Sequence, residues 1–371
     1  MLMQCPVCGI GNCRQHFRYW WDPNSFDWRE NSWQLASQFS EFLPLWWDPD
    51  KFNWDHSTEL ARYCYDYFNL WWDPDRFNWK FSHVLAEYCS EHFCTWWDSE
   101  RYNWQAGSSE LAEHCTEYFH IWWNPEKFNW KEGSSALAEY CSQYFDIWWN
   151  PDKFDWEQAS ISLVRSCREL FSKWWDPQRF NWQRFSWALV EYCCDQLQTW
   201  WDPDKFDWES AVVDLVRHCL EQFYVWWDAK KFSWENYSWV LPRFCSRYFY
   251  TWWNPDKFNW EQASGELAVH CAEYFTTWWD AERFNWKSAS WALAMYCSDH
   301  FTTWWDPEKF DWELASWILA QYCSSYFETW WDPEKFNIHH VEYLHQYCQE
   351  YKHIWEVDLK LTELLTIGEC A

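Results

Sequence analysis

Glycine is scarce: the 371 residues contain six. There are thirteen prolines, but ten of them occupy one repeated position, so the chain has little of the Gly/Pro-rich sequence that makes flexible linkers. No uninterrupted apolar run approaches the roughly 20 residues needed to span a bilayer. The opening MLMQCPVCGI has neither the basic flank nor the apolar stretch of a secretion signal, and the expected location is cytoplasmic. Positive charge is outnumbered, 29 Lys and Arg against 57 Asp and Glu, for a net charge of -28. That balance excludes a protein that grips nucleic-acid phosphates or an anionic membrane directly, and it points to neutral or basic protein partners. No Gly-rich phosphate loop, HExxH helix or GxSxG turn is present, so no enzyme is expected.

Aromatic residues are abundant, at 25% of the chain with 44 tryptophans. Most of them recur with a fixed period. Tryptophan pairs begin at Trp20, Trp46, Trp71, Trp96, Trp122, Trp148, Trp174, Trp200, Trp226, Trp252, Trp278, Trp304 and Trp330, at intervals of 25 or 26 residues. A degenerate further copy stands at Trp355, where Glu356 replaces the second tryptophan. A short fixed period of this kind is the mark of units that complete one another's core by stacking. The expected organisation is an N-terminal Cys/His knuckle over 1-19, thirteen repeats over 20-355 and a C-terminal capping segment over 356-371.

The unit Trp304 to Thr329, WWDPEKFDWELASWILAQYCSSYFET, shows two helix starts. Asp306 followed by Pro307 has the form of an N-cap with proline at the first helical position, predicting a short helix to about Trp312. Ser316 predicts the cap of a longer helix that continues to the next tryptophan pair. Projected at 100° per residue, that helix carries Leu319, Tyr322, Cys323, Tyr326, Phe327 and Trp330 on one broad apolar face. A face so wide suits a helix packed between a preceding and a following copy. Leucine recurs at the position of Leu319 in all thirteen units, and cysteine four residues later in twelve, from Cys64 to Cys348. One cysteine per repeat on a core face predicts reduced thiols serving as small packing residues. The fold class is therefore all-α: an α-solenoid of thirteen repeats with one short and one longer helix each, a right-handed superhelix being expected over a left-handed one. Its alternation of long and short helices is similar to leucine-rich-variant repeats. That resemblance implies architecture only and carries no functional residue.

The strongest local chemical signal is CPVCGIGNCRQH, with Cys5, Cys8, Cys13 and His16 spaced as C-x2-C-x4-C-x2-H. Three thiolates and an imidazole can close a tetrahedral structural zinc site with no open position for catalysis; an iron–sulfur cluster is the weaker alternative. A partner-binding role is expected for two further sets. One is an acidic row outward on the longer helix, comprising Glu41, Asp66, Glu91, Glu117, Glu169, Asp195, Glu221, Glu273 and Asp299. The other is an aromatic edge of Trp187, Trp239, Trp291 and Trp317, with Trp33 at the same position. A second acidic row at the start of each unit, Asp50 and its equivalents, faces a recurring Lys or Arg, for which pairing is the expected role. These features predict a non-enzymatic scaffold binding protein partners. The alternatives are an acidic nucleic-acid mimic and a self-assembling structural subunit.

Overall fold

The computed structural model describes residues 7-8 and 13-368. They form two compact units, Met1–Asn181 and Trp182–Ala371. Each unit is an all-α solenoid built from the same repeat, and no strand occurs among the described residues.

The repeat is phased differently from the caps expected above. Asp306-Pro307 opens a tight turn and not a helix: the Asp306 carbonyl accepts from Lys309 and Phe310 N–H at 3.3 and 3.0 Å, and its side chain accepts from Glu308 N–H at 3.0 Å. Proline is accessory there. The same Asx turn forms at Asp98, Asp228 and Asp280, which Ser99, Ala229 and Ala281 follow, because the carboxylate supplies the closing acceptor. The long helix begins at the next Asx residue. Asp311 caps Trp312–Tyr322, accepting from Leu314 N–H at 3.1 Å, and Asn285 caps Trp286–Tyr296 in the same way.

Ser316 is therefore not a cap but lies one turn inside the helix, fully buried. Serine holds this position in eleven repeats, with Val212 and Val341 in the other two, and Ser108 shows its hydroxyl serving two partners. Ser108 Oγ donates to the Trp104 carbonyl at 2.7 Å and accepts, at 2.8 Å, from the N–H of Asn129, the N-cap of the next repeat. Equivalent bonds join Asn78 to Ser57, Asp207 to Ser186 and Asn285 to Ser264. Where the cap is asparagine, its amide also donates back to the preceding helix, as from Asn53 to the Arg29 carbonyl at 2.8 Å.

The long helix does not run on to the tryptophan pair. It stops at Cys323, whose N–H closes on Leu319 and whose backbone, at φ -118° and ψ 24°, leaves the helical region. A 3-10 segment, Ser324–Tyr326, and a four-residue helix, Phe327–Trp330, follow. The break has a cause. Trp330 is 1% exposed, and a buried indole N–H needs an acceptor; the Cys323 carbonyl, freed from the helix ladder, provides it at 2.8 Å. The same bond recurs in every repeat of both units, from Trp46 on the Phe39 carbonyl to Trp355 on that of Cys348. By area transfer, burying such a ring is worth about 5 kcal/mol before entropy is counted. Tyr322, the last residue before the break, also departs from the projected apolar face, being 40% exposed.

Layers are joined by rings as well. Phe301 lies between Trp305, four residues on (centroids 5.1 Å, planes 20° apart), and Tyr326 in the 3-10 segment that follows the next long helix (4.6 Å, 13°). Phe68 is sandwiched likewise between Trp72 and His92. The recurrent leucines are at the centre of each layer: Leu85, Leu137, Leu241 and Leu319 have no exposed surface.

Candidate partner-binding faces and the N-terminal cysteine cluster

The acids of the Asx turns are consumed by the fold. Asp50 pairs with Arg76 at 3.0 Å, Asp75 with Arg101 at 3.1 Å, Glu100 with Lys127 at 2.6 Å and Glu126 with Lys153 at 2.7 Å. In the second unit Asp204 pairs with Lys231 and Glu282 with Lys309, both at 2.6 Å. Each cation belongs to the repeat after its acid, and five of the six also reach the carbonyl that follows the Asx residue, as Arg101 does at Pro74 (2.7 Å). Such exposed pairs contribute about 0 to 1 kcal/mol each. They set register between layers and leave little of this row for a partner.

The other acidic row sits differently. Glu41, Asp66, Glu91, Glu117 and Glu169 in the first unit, and Asp195, Glu221, Glu273 and Asp299 in the second, are each the exposed middle residue of a 3-10 segment. Glu41 is bound by Arg14, whose hydrogen bonds hold the Glu41 carboxyl below its ordinary range. Glu169 meets Arg168 at 3.1 Å and Glu221 meets Arg247. Asp66, Glu91, Glu117, Asp195, Glu273 and Asp299 have no ion-pair partner among the described residues.

The tryptophans outside the repeat motif lie on the outer edge of the long helices, one residue after the buried serine. Trp33 and Trp291 are each 39% exposed, while Trp187, Trp239 and Trp317 are half-buried. Trp291 and Trp317 turn their indole N–H to a carbonyl three residues back in their own helix, and Trp317 packs on Tyr343 at 5.1 Å. This edge also carries residues that the periodicity did not single out. Tyr63, Tyr88 and Tyr140 in the first unit, and Tyr296 and Tyr322 in the second, are exposed there. The signal for them was available: each stands three residues after the central leucine, directly before the cysteine at which the helix ends. Two residues after the central leucine the first unit carries Glu87, Glu113 and Glu139, and the second Arg217, Arg243 and Val269. Glu110, Glu113 and His114 are close enough to share a cation, with His114 Nε2 3.4 Å from Glu110.

In the second unit the edge is notched where Gly265 takes the place held by Trp239 and Trp291 in the adjoining repeats. A cavity of about 320 Å³ opens there, lined by Arg243, Gln262, Glu266, His270 and Trp291. Glu266 lies 3.2 Å from His270 Nε2 and 3.9 Å from Arg243 Nη1, and the Arg243 guanidinium rests over the Trp239 ring at 5.9 Å. The notch combines both signs of charge with an aromatic wall.

Six of the repeat cysteines hold thiols kept neutral by burial. Cys64, Cys89, Cys141, Cys167, Cys297 and Cys323 are buried, and burial pushes each thiol up to about 12. Their S–H groups point at the carbonyl of an alanine in the preceding long helix, at 3.4 Å from Cys141 to Ala112 and from Cys323 to Ala294.

At the N-terminus the ligand atoms of Cys8, Cys13 and His16 lie within 4.8 Å of one another, with Cys13 Sγ 3.4 Å from His16 Nδ1. Cys5, the fourth expected ligand, lies outside the described residues. Cys13 has a second role that the motif concealed. Its carbonyl accepts the Trp20 indole N–H at 2.7 Å, so Cys13 holds the C-cap cysteine position of the repeat. His16 then falls where His92 and Tyr326 stand in later repeats, and Phe17 stacks on Phe42 at 4.8 Å as the later phenylalanines do on their neighbours.

No protein-family model and no curated protein matches the chain. Among the described residues, no helix is long and apolar enough to cross a membrane.

Proposed function

We propose that the chain is a non-enzymatic scaffold that holds protein partners of neutral or basic character on the outer edge of its long helices and on the adjoining row of 3-10 acids. One observation carries this reading. The residues that recur most regularly (the leucine and paired tryptophans in all thirteen repeats, the cysteine in twelve and the serine in eleven) are spent on packing and on bonds between repeats. Those that change from repeat to repeat share one exposed edge, and interfaces are enriched in the Trp, Tyr and Arg collected there. The acids without an ion-pair partner would draw a basic partner in, while the notch at Gly265 gives the second unit a place for an inserted side chain. Cys8, Cys13 and His16, with Cys5, would hold a structural zinc ion that closes the first layer. Reduced thiols throughout the core fit a cytosolic setting.

The test is to capture partners on the full chain at low salt and map them by cross-linking mass spectrometry. Cross-links on the long-helix edge, and loss of capture in Trp291→Ala and Arg243→Glu, support the reading. Cross-links confined to the turn ladder contradict it. The unpaired 3-10 acids favour a second reading, a nucleic-acid mimic. Binding would then fall steeply with ionic strength and compete with DNA, whereas contacts on an aromatic edge tolerate salt.

A further inference from the structure

Cys194 breaks the repeat pattern. The position after the C-cap cysteine is serine in six repeats (Ser40, Ser90, Ser142, Ser246, Ser298 and Ser324), and only at Cys194 does it place a thiol. Cys194 opens the 3-10 segment Cys194–Gln196 and is half-buried. Its Sγ is 3.2 Å from the His218 carbonyl and 3.8 Å from Gln222 Oε1, on either side of Cys219 in the next repeat. These two contacts set the Cys194 thiol against the helix end that carries the buried Cys219. The repeat thiols described above face an alanine carbonyl, whereas the helix end at Cys219 has a second cysteine packed against it.

We propose that Cys194 and Cys219 form an oxidation site, at which a hydroperoxide converts two thiols of adjacent repeats in the second unit into a disulfide. The Cys194 sulfur attacks the peroxide, the O–O bond breaks, and with hydrogen peroxide the products are a sulfenic acid and water. The Cys219 sulfur then displaces the hydroxyl, which takes up the thiol proton and leaves as a second water while the S–S bond forms. Two electrons pass from the thiols to the oxidant. Cys194 is the sulfur that reacts first. It is the more accessible, and the hydrogen bond from Cys219 lowers its pKa, whereas that bond and burial hold the Cys219 thiol up. The other repeat thiols, held neutral by burial, are poor nucleophiles. The product ties the 3-10 segment of one repeat to the helix end of the next, closing the chain between 194 and 219.

The full chain treated with equimolar hydrogen peroxide under native conditions, alkylated and digested without reduction, provides the test. A linked peptide pair joining Cys194 to Cys219, lighter by two hydrogen atoms, is expected. Cys194→Ser, which installs the residue six repeats already hold, should abolish the link and leave the helical spectrum unchanged; Cys193→Ala should leave the link in place. A link between Cys193 and Cys194, an intermolecular link, sulfinic acid at Cys194 without a link, or reaction no faster than at the exposed Cys94 would each overturn the proposal.

Discussion

Replacing Ser108 by alanine isolates the bond that joins one repeat to the next. The side chain is 1% exposed, so no water stands in for the lost hydroxyl. The Trp104 carbonyl keeps its helical partner, but the Asn129 N–H, 2.8 Å from Ser108 Oγ, loses its only acceptor. An orphaned donor of this kind costs about 1 to 3 kcal/mol. Two effects reduce that figure: Asn129 is only half-buried, and alanine is the better helix former by about 0.5 kcal/mol. A net loss of about 1 kcal/mol at one interface remains. In a solenoid, where each layer contacts only its neighbours, this loss stays local. The assay is therefore amide hydrogen exchange resolved by mass spectrometry, with Ser109→Ala as the control on the helix surface. About a fivefold faster exchange is expected at Asn129 and through the first turn of Trp130–Tyr140, while distant repeats are unaffected. If Ser108→Ala and Ser109→Ala exchange alike, the serine is merely a small buried residue and the inter-repeat bond is not what fixes the register.

Leu241→Asp places a carboxylate at a site with no exposed surface. It should cost about 4 kcal/mol or more and melt Val240–Cys245 with its neighbouring layers; unchanged thermal unfolding would contradict the layer assignment. His83 is half-buried with Nδ1 unbonded, and its pKa is lowered below 6.5 chiefly by burial, with Glu87 opposing and Arg62 assisting. The unfolded chain therefore binds the proton more readily. Stability from this group is complete above 6.5 and is lost as pH falls through the folded value, so protection factors over 83-88, which divide out the intrinsic slowing of exchange in acid, should fall from about pH 8 to about pH 5, and His83→Gln should remove that dependence. Elemental analysis should find one zinc per chain, lost in Cys8→Ala; a metal-free wild type would remove the site.

The period, the helical class and the buried leucine, cysteine and tryptophan positions were legible because each is set by local chemistry repeated many times. The helix boundaries were not, and the reason is physical. Asp306, Asp311 and Ser316 are all competent N-caps, and local sequence does not rank them. The choice is made between repeats, by an indole that needs the Cys323 carbonyl and by an N-cap N–H that needs the serine of the preceding helix. A 100° projection carried through Cys323 onto Tyr326, Phe327 and Trp330 treats two helices as one, and it put Tyr322 on the core face although the end of the helix leaves it 40% exposed. The Gly265 notch was equally hidden, because a missing side chain becomes a cavity only when the helices on either side are in place.

The N-terminal cluster shows how two explanations can share one residue. Read as a motif, Cys13 is a metal ligand; counted seven residues back from Trp20, it is the cysteine that ends a repeat helix. Its carbonyl serves the indole and its sulfur faces Cys8 and His16, so the two roles use different atoms and can be separated. Cys13→Ala keeps the backbone acceptor and removes the thiolate. If zinc holds the cluster, this variant loses the metal while Trp20 stays packed, and the first repeat loosens as it does in a chelator. If the position is only a helix end, neither metal content nor exchange over 13-20 should change, since alanine leaves the carbonyl that accepts the Trp20 indole N–H in place.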